Sequence, residues 1–142
     1  MPQFFSNKEP SDTGASTSQP LNDAADPGDA HLDSDVLAAL REVMDEDYPI
    51  LLDTFISDSE ERVRILGSAL RALDVEAMGL AAHSFKGSSS NMGAPVLAGL
   101  CRELEDLARR QQSAGAATLV AKIEAEFVIV RRLFLNERLR FD

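Results

Sequence analysis

The sequence contains a single cysteine, one tyrosine and no tryptophan, and aromatic residues make up only 6% of its 142 residues. One cysteine cannot form an intramolecular disulfide, which is consistent with a reducing compartment. Because aromatics are scarce, leucine, alanine and valine must fill most of the core. No window alternates polar and apolar residues over the length of a strand, so β-structure is not expected. The composition therefore predicts an all-α protein.

Basic residues are also few, with 14 Lys and Arg against 24 Asp and Glu and a formal net charge of −10. Such a charge disfavours binding to nucleic acid or to an anionic membrane surface. No apolar run approaches the ~20 residues that a membrane-spanning helix needs, and the first residues lack the basic and apolar regions of a secretory signal. We therefore expect a cytoplasmic protein that binds neither nucleic acid nor membrane.

The first part of the chain, residues 1–32, is rich in Ser, Asp, Pro and Gly and offers little for a core to bury. We interpret it as a disordered acidic tail. His31, near its end, has no metal-ligand neighbours and is interpreted as a solvated residue. Residues 33–142 remain as the folded domain, which is long enough for one hydrophobic core.

The folded part contains four long segments whose apolar residues recur at helical spacing. A short additional helix, capped by Asp33 or Ser34, is expected before them. The long helices are separated by turns near residues 73–75, 93–95 and 111–115. Because these connections are short, consecutive helices must run antiparallel. The sequence predicts an antiparallel up-and-down four-helix bundle, preceded by the short helix and the tail.

One of these helices carries His83 among small residues. At about 100° per residue, the apolar side chains of Met78, Phe85 and Met92 lie on the side opposite the histidine. Burial of these side chains in the core therefore turns the imidazole toward solvent.

Two glycines lie one turn before and one turn after the histidine, at Gly79 and Gly87. A glycine in a helix interior costs about 0.5–1 kcal/mol relative to alanine, and room for another molecule beside His83 explains both. Lys86 lies on the same face, three residues on. A neutral imidazole that attacks phosphorus, with an ammonium beside it, suits phosphoryl transfer. Ser90 could add a hydroxyl at the edge of this surface, or could be merely solvated.

The motif consists of His83, Lys86, Gly87 and Ser88, followed by residues 91–94. It resembles the phosphorylation motif of histidine-containing phosphotransfer (HPt) domains, and the resemblance covers roughly residues 34–138 without a departure in the motif. The resemblance implies a phosphorelay intermediate that accepts a phosphoryl group on His83 from the phospho-aspartate of one receiver domain and passes it to the aspartate of another. The implied partners are receiver domains of hybrid sensor kinases and response regulators. Those partners would hold Mg²⁺, so this chain would have no cofactor or metal of its own.

Two apolar residues near the histidine suggest where a partner docks. Leu80 lies three residues before His83, and equal distances from the turn place Ile65 of the preceding helix beside it. We interpret Leu80 and Ile65 as a docking surface, together with Gly79. The alternative is that both apolar side chains only widen the core stripe.

The function also has an alternative, a binding-only helical bundle that docks receiver domains as an adaptor without phosphotransfer. The sequence contains no phosphate-binding loop of the ATP-binding type. We therefore expect no autonomous kinase activity, and we expect the protein to act as a monomer.

Overall fold

The computed structural model describes residues 30–141, which contain no β-strand. Its helices are α1 (Ser34–Met44), α2 (Tyr48–Ala72), α3 (Val75–Asn91), α4 (Pro95–Arg109) and α5 (Ala116–Leu139). A single 3-10 turn, Asp45–Asp47, joins α1 to α2. Around the bundle, α2 packs against α3, α3 against α4, α4 against α5, and α5 against α2. The predicted all-α fold, a four-helix bundle with a short helix before it, is confirmed.

Capping and turn residues determine where the helices begin and end. The Asp33 carboxylate accepts hydrogen bonds from the N–H groups of Asp35 and Val36, at 3.0 and 3.3 Å, which satisfies free donors in the first turn of α1. At the turn between α3 and α4, Gly93 has a φ of 74°. A Cβ atom there would lie 3.0 Å from the Cβ of Val36. Glycine is therefore required both by the backbone conformation and by the close approach of α1.

The core is built mainly from aliphatic side chains and a few phenylalanines. Its largest fully buried members include Tyr48, Leu52, Leu66, Phe85, Leu97, Leu104, Ile123, Val130 and Phe134. Phe85 of α3 packs edge-on against Phe127 of α5, with ring centroids 6.1 Å apart. No helix among residues 30–141 is long and apolar enough to cross a membrane.

The packed part of the chain begins earlier than the sequence suggested. Leu32 is buried in the core, and Nδ1 of His31 lies 2.5 Å from Oε2 of the buried Glu126. The interpretation of His31 as a solvated residue is therefore wrong, because its ring is a partner of a carboxylate that is costly to bury alone. The rest of the expected tail, residues 1–29, lies outside the described residues.

A second buried carboxylate, Glu137, ties α1 and α2 to the end of α5. It accepts hydrogen bonds from Tyr48 at 2.8 Å and from Arg41 at 2.9 Å. Burial opposes its ionisation, but the hydrogen bonds from Tyr48 and Arg41 outweigh burial, so the pKa of Glu137 is lowered. The network adds to the buried Leu37 in holding the short first helix on the bundle.

Candidate functional site

The site is centred on His83, whose side chain is 66% exposed in the middle of α3. The opposite side of the same helix is buried through Met78, Ala82 and Phe85. The histidine thus faces solvent for the reason that the apolar spacing indicated: the core holds the other side of the helix.

Glu105 of α4, which the sequence patterns did not identify, lies against the histidine. Its Oε2 is 2.7 Å from Nδ1 of His83, and its Oε1 accepts a hydrogen bond from Nζ of Lys86 at 2.6 Å. Arg109, one turn further along α4, lies 3.4 Å from the same carboxylate. The Glu105 side chain is only 13% exposed, so these contacts are partly shielded from water. One carboxylate therefore connects the histidine and the lysine of the motif.

The protonation of this cluster follows from the contacts. The hydrogen bond from Lys86 lowers the pKa of Glu105 most, burial opposes it, and with the further bond from His83 the net pKa is lowered. Glu105 is therefore ionised at neutral pH. An ionised carboxylate can only accept hydrogen bonds, so Nδ1 of His83 must carry the hydrogen. In the neutral ring, Nε2 is then the nitrogen with the free electron pair. The site offers a nucleophile at Nε2, away from the carboxylate.

A shallow groove runs along α3 and α4 at the histidine. It is lined by Val75, Glu76, Gly79, Leu80, His83, Glu105, Ala108, Arg109 and Gln111. A second groove, between α2 and α3, is lined by Asp58, Glu61, Arg62, Ile65, Ala77, Leu80, Ala81 and Ser84. Leu80 belongs to both and is 66% exposed, so it forms an apolar ridge between them.

The structure brings Leu80 and Ile65 together in the second groove. Ile65 is half-buried and packs against the core. Part of its side chain therefore widens the core, as the alternative interpretation expected. Leu80 does not belong to the core. Ser90 is exposed near the end of α3 and lines neither of the two grooves; its part in the site stays a prediction.

The two glycines around the histidine have different surroundings. Apart from its chain neighbours and the backbone of its own helix, a Cβ atom at Gly87 would have no atom within 4 Å, whereas at Gly79 it would lie 3.0 Å from the Cβ of Ala108. Gly87 leaves space beside His83, in agreement with the sequence interpretation. Gly79 lines the groove, but its lack of a side chain is explained by the close packing of α3 on α4, which corrects the explanation given by the sequence.

The described part of the chain offers neither a reactive thiol nor a metal site. Cys101 is buried, and burial raises the pKa of its thiol to about 12. Among residues 30–141 there is no cluster of three or more His, Cys, Asp or Glu that could hold a metal ion.

Comparisons with known proteins agree with the geometry. A family profile described as Hpt domain matches residues 50–133, more than half of the chain. The crystal structure of histidine-containing phosphotransfer protein B (HptB) from Pseudomonas aeruginosa PAO1 is 55% identical in sequence, with a TM-score of 0.78. That match covers 83% of this chain and 100% of HptB. A comparison with curated protein sequences found no match.

More distant structures share the fold alone. The HPT domain of a sensor hybrid histidine kinase from Shewanella is 20% identical, with a TM-score of 0.69, over 78% of this chain and 96% of that domain. The histidine-containing phosphotransfer protein ZmHP2 from maize is 19% identical, with a TM-score of 0.68, over 81% of this chain and 94% of its own. From the family profile and the similarity to HptB, the chain belongs to the Hpt domain family, the histidine-containing phosphotransfer intermediates of two-component phosphorelays.

Proposed function

We propose that this protein accepts a phosphoryl group on Nε2 of His83 from the phospho-aspartate of one receiver domain and delivers it to the aspartate of another. The observation that carries the proposal is the exposed imidazole whose Nδ1 is bound by Glu105, which leaves Nε2 free on the side open to a partner. The family membership supports the same reaction.

The reaction needs few groups from this chain. The electron pair of Nε2 attacks phosphorus, the bond between phosphorus and the aspartate oxygen breaks, and the aspartate carboxylate leaves. Lys86, whose side chain is 31% exposed, adds positive charge next to the ring, and its contribution is modest because solvent screens it. Gly87 leaves room for the approach.

The partners would supply the remaining chemistry. We expect the receiver domains of hybrid sensor kinases and response regulators to hold the Mg²⁺ that transfer requires, as the resemblance implies, and we propose no cofactor for this chain. The protein would act as a monomer in the cytoplasm, where receiver domains are found. The single cysteine, which leaves no intramolecular disulfide to form, supports this location.

The proposal is tested by incubating the protein with a panel of phosphorylated receiver domains. We expect label to appear on the wild-type protein, to be lost in acid and to survive alkali, because a P–N bond hydrolyses when its nitrogen is protonated. His83→Gln should take up no label. His31→Gln, which removes the other histidine of the chain, is the matched control and should be labelled normally.

The same experiment separates the two functions. A binding-only adaptor would bind the receivers and remain unlabelled in its wild-type form. Label that persists in His83→Gln would mean that another residue carries the phosphoryl group.

If receiver domains dock on Leu80, a charged residue at this position should slow phosphoryl transfer. Leu80→Glu should leave the free energy of unfolding within about 0.5 kcal/mol, because the side chain is exposed. Transfer should fall at least about tenfold, since an apolar anchor at an interface contributes about 2 kcal/mol or more. Transfer rates and thermal midpoints measured side by side check both parts.

Val128→Glu supplies the control for the docking prediction. Val128 on α5 is 59% exposed and belongs to neither groove, so the same change there should leave transfer unaffected. Equal transfer by both variants would put the docking surface elsewhere on the bundle.

A further inference from the structure

The turn that joins α2 to α3 has a leucine at the position where glycine is usual. Leu73 has a φ of 56°, its N–H donates to the carbonyl oxygen of Leu70, and the N–H of Asp74 donates to that of Ala69. These two hydrogen bonds form the Schellman motif, whose left-handed residue is most often glycine. A Cβ atom is crowded in this conformation, so the backbone at this position disfavours leucine.

The side chain of Leu73 is also in an unfavourable environment, because it is apolar and 72% exposed. Burial in the core therefore does not compensate for the strained backbone. At the turns before α4 and α5 the residues with positive φ are Gly93 and Gly115. Among the described residues, the other non-glycine positions with positive φ are Asp45 and Gln111, which are polar. The folding of this part of the chain does not explain a leucine at the turn between α2 and α3.

Leu73 lies beside the grooves around the histidine. Ala72 and Asp74, its two neighbours in the chain, line a third groove, between α2 and α3. Val75, two residues on, lines the groove at His83. The exposed leucine therefore lies at the turn between these two grooves.

The three grooves are connected through shared residues. Ile65 and Ala77 line both the second groove and the third, and Leu80 lines both the first and the second. The surface around Leu80 thus continues along α3 to the turn at Leu73.

This turn is close enough to His83 to be covered by the same partner. Val75, the first residue of α3, precedes His83 by eight residues, which is about 12 Å along the helix. A protein interface of ordinary size covers about 800 Å² on each partner, equivalent to a disc about 16 Å in radius. A receiver domain centred on the imidazole would therefore cover Leu80 and reach the turn.

We propose that Leu73 is a second apolar anchor for the receiver domain that exchanges the phosphoryl group with His83, in addition to Leu80. The receiver would cover the leucine with an apolar patch of its own, away from its phosphorylated aspartate. Removal of the exposed side chain from water on binding is favourable, which gives a reason for a leucine that the free protein does not need. The inference rests on the proposed function, which supplies the partner.

Leu73 would act on binding and not on the chemical step. It lies about two helical turns from His83 and so does not touch the reacting atoms. Loss of an interaction that is equally strong before and during the reaction weakens binding and leaves the limiting rate unchanged. The dependence of the transfer rate on receiver concentration therefore distinguishes an anchor from a residue that takes part in the chemistry.

The test replaces Leu73 with asparagine, which is polar and tolerates the left-handed conformation. The rate of phosphoryl transfer is measured at increasing concentrations of the phosphorylated receiver domain that labels wild type fastest. We expect the half-saturating concentration to rise about fivefold or more in Leu73→Asn, as for loss of an apolar interface contact, with an unchanged limiting rate. The thermal midpoint should stay equal or rise, because the strained leucine is replaced.

Leu139 supplies a control for the loss of an exposed leucine. It is 65% exposed and lines none of the three grooves. Its neighbour Arg138 pairs with Asp53 near the start of α2, whereas Leu73 follows the end of that helix. Leu139→Asn should therefore keep the wild-type half-saturating concentration.

Asp45 supplies a control for relief of backbone strain. It has a φ of 50° in the turn before α2, at the opposite end of that helix from Leu73. Asp45→Gly should leave both the half-saturating concentration and the limiting rate unchanged. An unchanged half-saturating concentration in Leu73→Asn would overturn the proposal, as would an equal rise in Leu139→Asn.

The wild-type protein gives a second test that needs no folded variant. Methyl resonances of its leucines are followed by NMR while the unphosphorylated receiver domain is added. Those of Leu73 and Leu80 should shift together, and those of Leu139 should not. A shift at Leu80 without one at Leu73 would contradict the proposal. Failure of the proposed function would look different, because wild type would then take up no phosphoryl group on His83.

Discussion

Gly87→Leu is expected to abolish phosphoryl transfer while leaving the bundle folded and slightly more stable. Outside the backbone of its own helix and its chain neighbours, a Cβ atom at Gly87 has no atom within 4 Å, so the new side chain does not disturb packing. Replacing a glycine inside a helix stabilises it by up to about 1 kcal/mol. Helical side chains lean toward the N-terminus, so leucine at this position extends toward His83, one turn back. It would fill the space through which the phospho-aspartate reaches Nε2.

Two control variants make the result interpretable. Gly87→Ala adds only a methyl group and should keep much of the transfer. Gly99 of α4 is also exposed, with nothing within 4 Å of a Cβ atom, and is not part of the groove at His83. Gly99→Leu should therefore match the gain in stability without loss of transfer. Thermal midpoints and transfer rates of all variants are the measurements, and unimpaired transfer in Gly87→Leu would refute the role of this glycine.

Gly79→Leu should have the opposite effect on stability. A Cβ atom there would lie 3.0 Å from the Cβ of Ala108, which is fixed to the backbone of α4 and cannot rotate away. Forcing extra atoms between packed helices costs about 1–3 kcal/mol, which exceeds the gain in helix propensity. The thermal midpoint should fall by about 4 °C for each kcal/mol.

Transfer should weaken in Gly79→Leu as well, because the bond between His83 and Glu105 depends on the spacing of α3 and α4. Gly79→Ala should lie between the variant and wild type in stability. Equal or raised stability in Gly79→Leu would mean that the helices separate at little cost, and that this glycine leaves room for a partner after all.

The fold was largely predictable from local patterns. The spacing of Met78, Phe85 and Met92 predicted which side of α3 is buried, and all three are buried. Asp33 was predicted as a possible cap of the first helix and is its cap. These features depend on residues within a turn or two of one another, so the sequence displays them directly.

Glu105 could not be identified from local patterns, because its contact with His83 joins two helices across 22 positions. It follows the buried Leu104 in sequence and looks like an ordinary charged residue beside the apolar stripe. One signal was available: α3 and α4 are antiparallel, and Glu105 and His83 lie at similar distances from the turn at Gly93. Counting from that turn would have suggested the pair, but the helix rotations needed to bring the side chains together come only from packing.

Two other differences between the sequence-based interpretation and the structure also come from contacts between separate elements. Gly79 and Gly87 look equivalent in sequence, and only the position of α4 distinguishes a packing contact from open space. His31 looked solvated because Glu126, its partner, lies 95 positions away. In each case the deciding neighbour belongs to another element, which periodicity along one helix does not report.

If Nε2 of His83 carries the phosphoryl group, the bond between nitrogen and phosphorus can be observed directly. Protein labelled with ¹⁵N in its histidine rings would be phosphorylated by a receiver domain and examined by phosphorus and nitrogen NMR. We expect one phosphorus–nitrogen coupling, to Nε2 of His83. A coupling to Nδ1, a coupling to His31, or phosphorylation with no bond to nitrogen would contradict it.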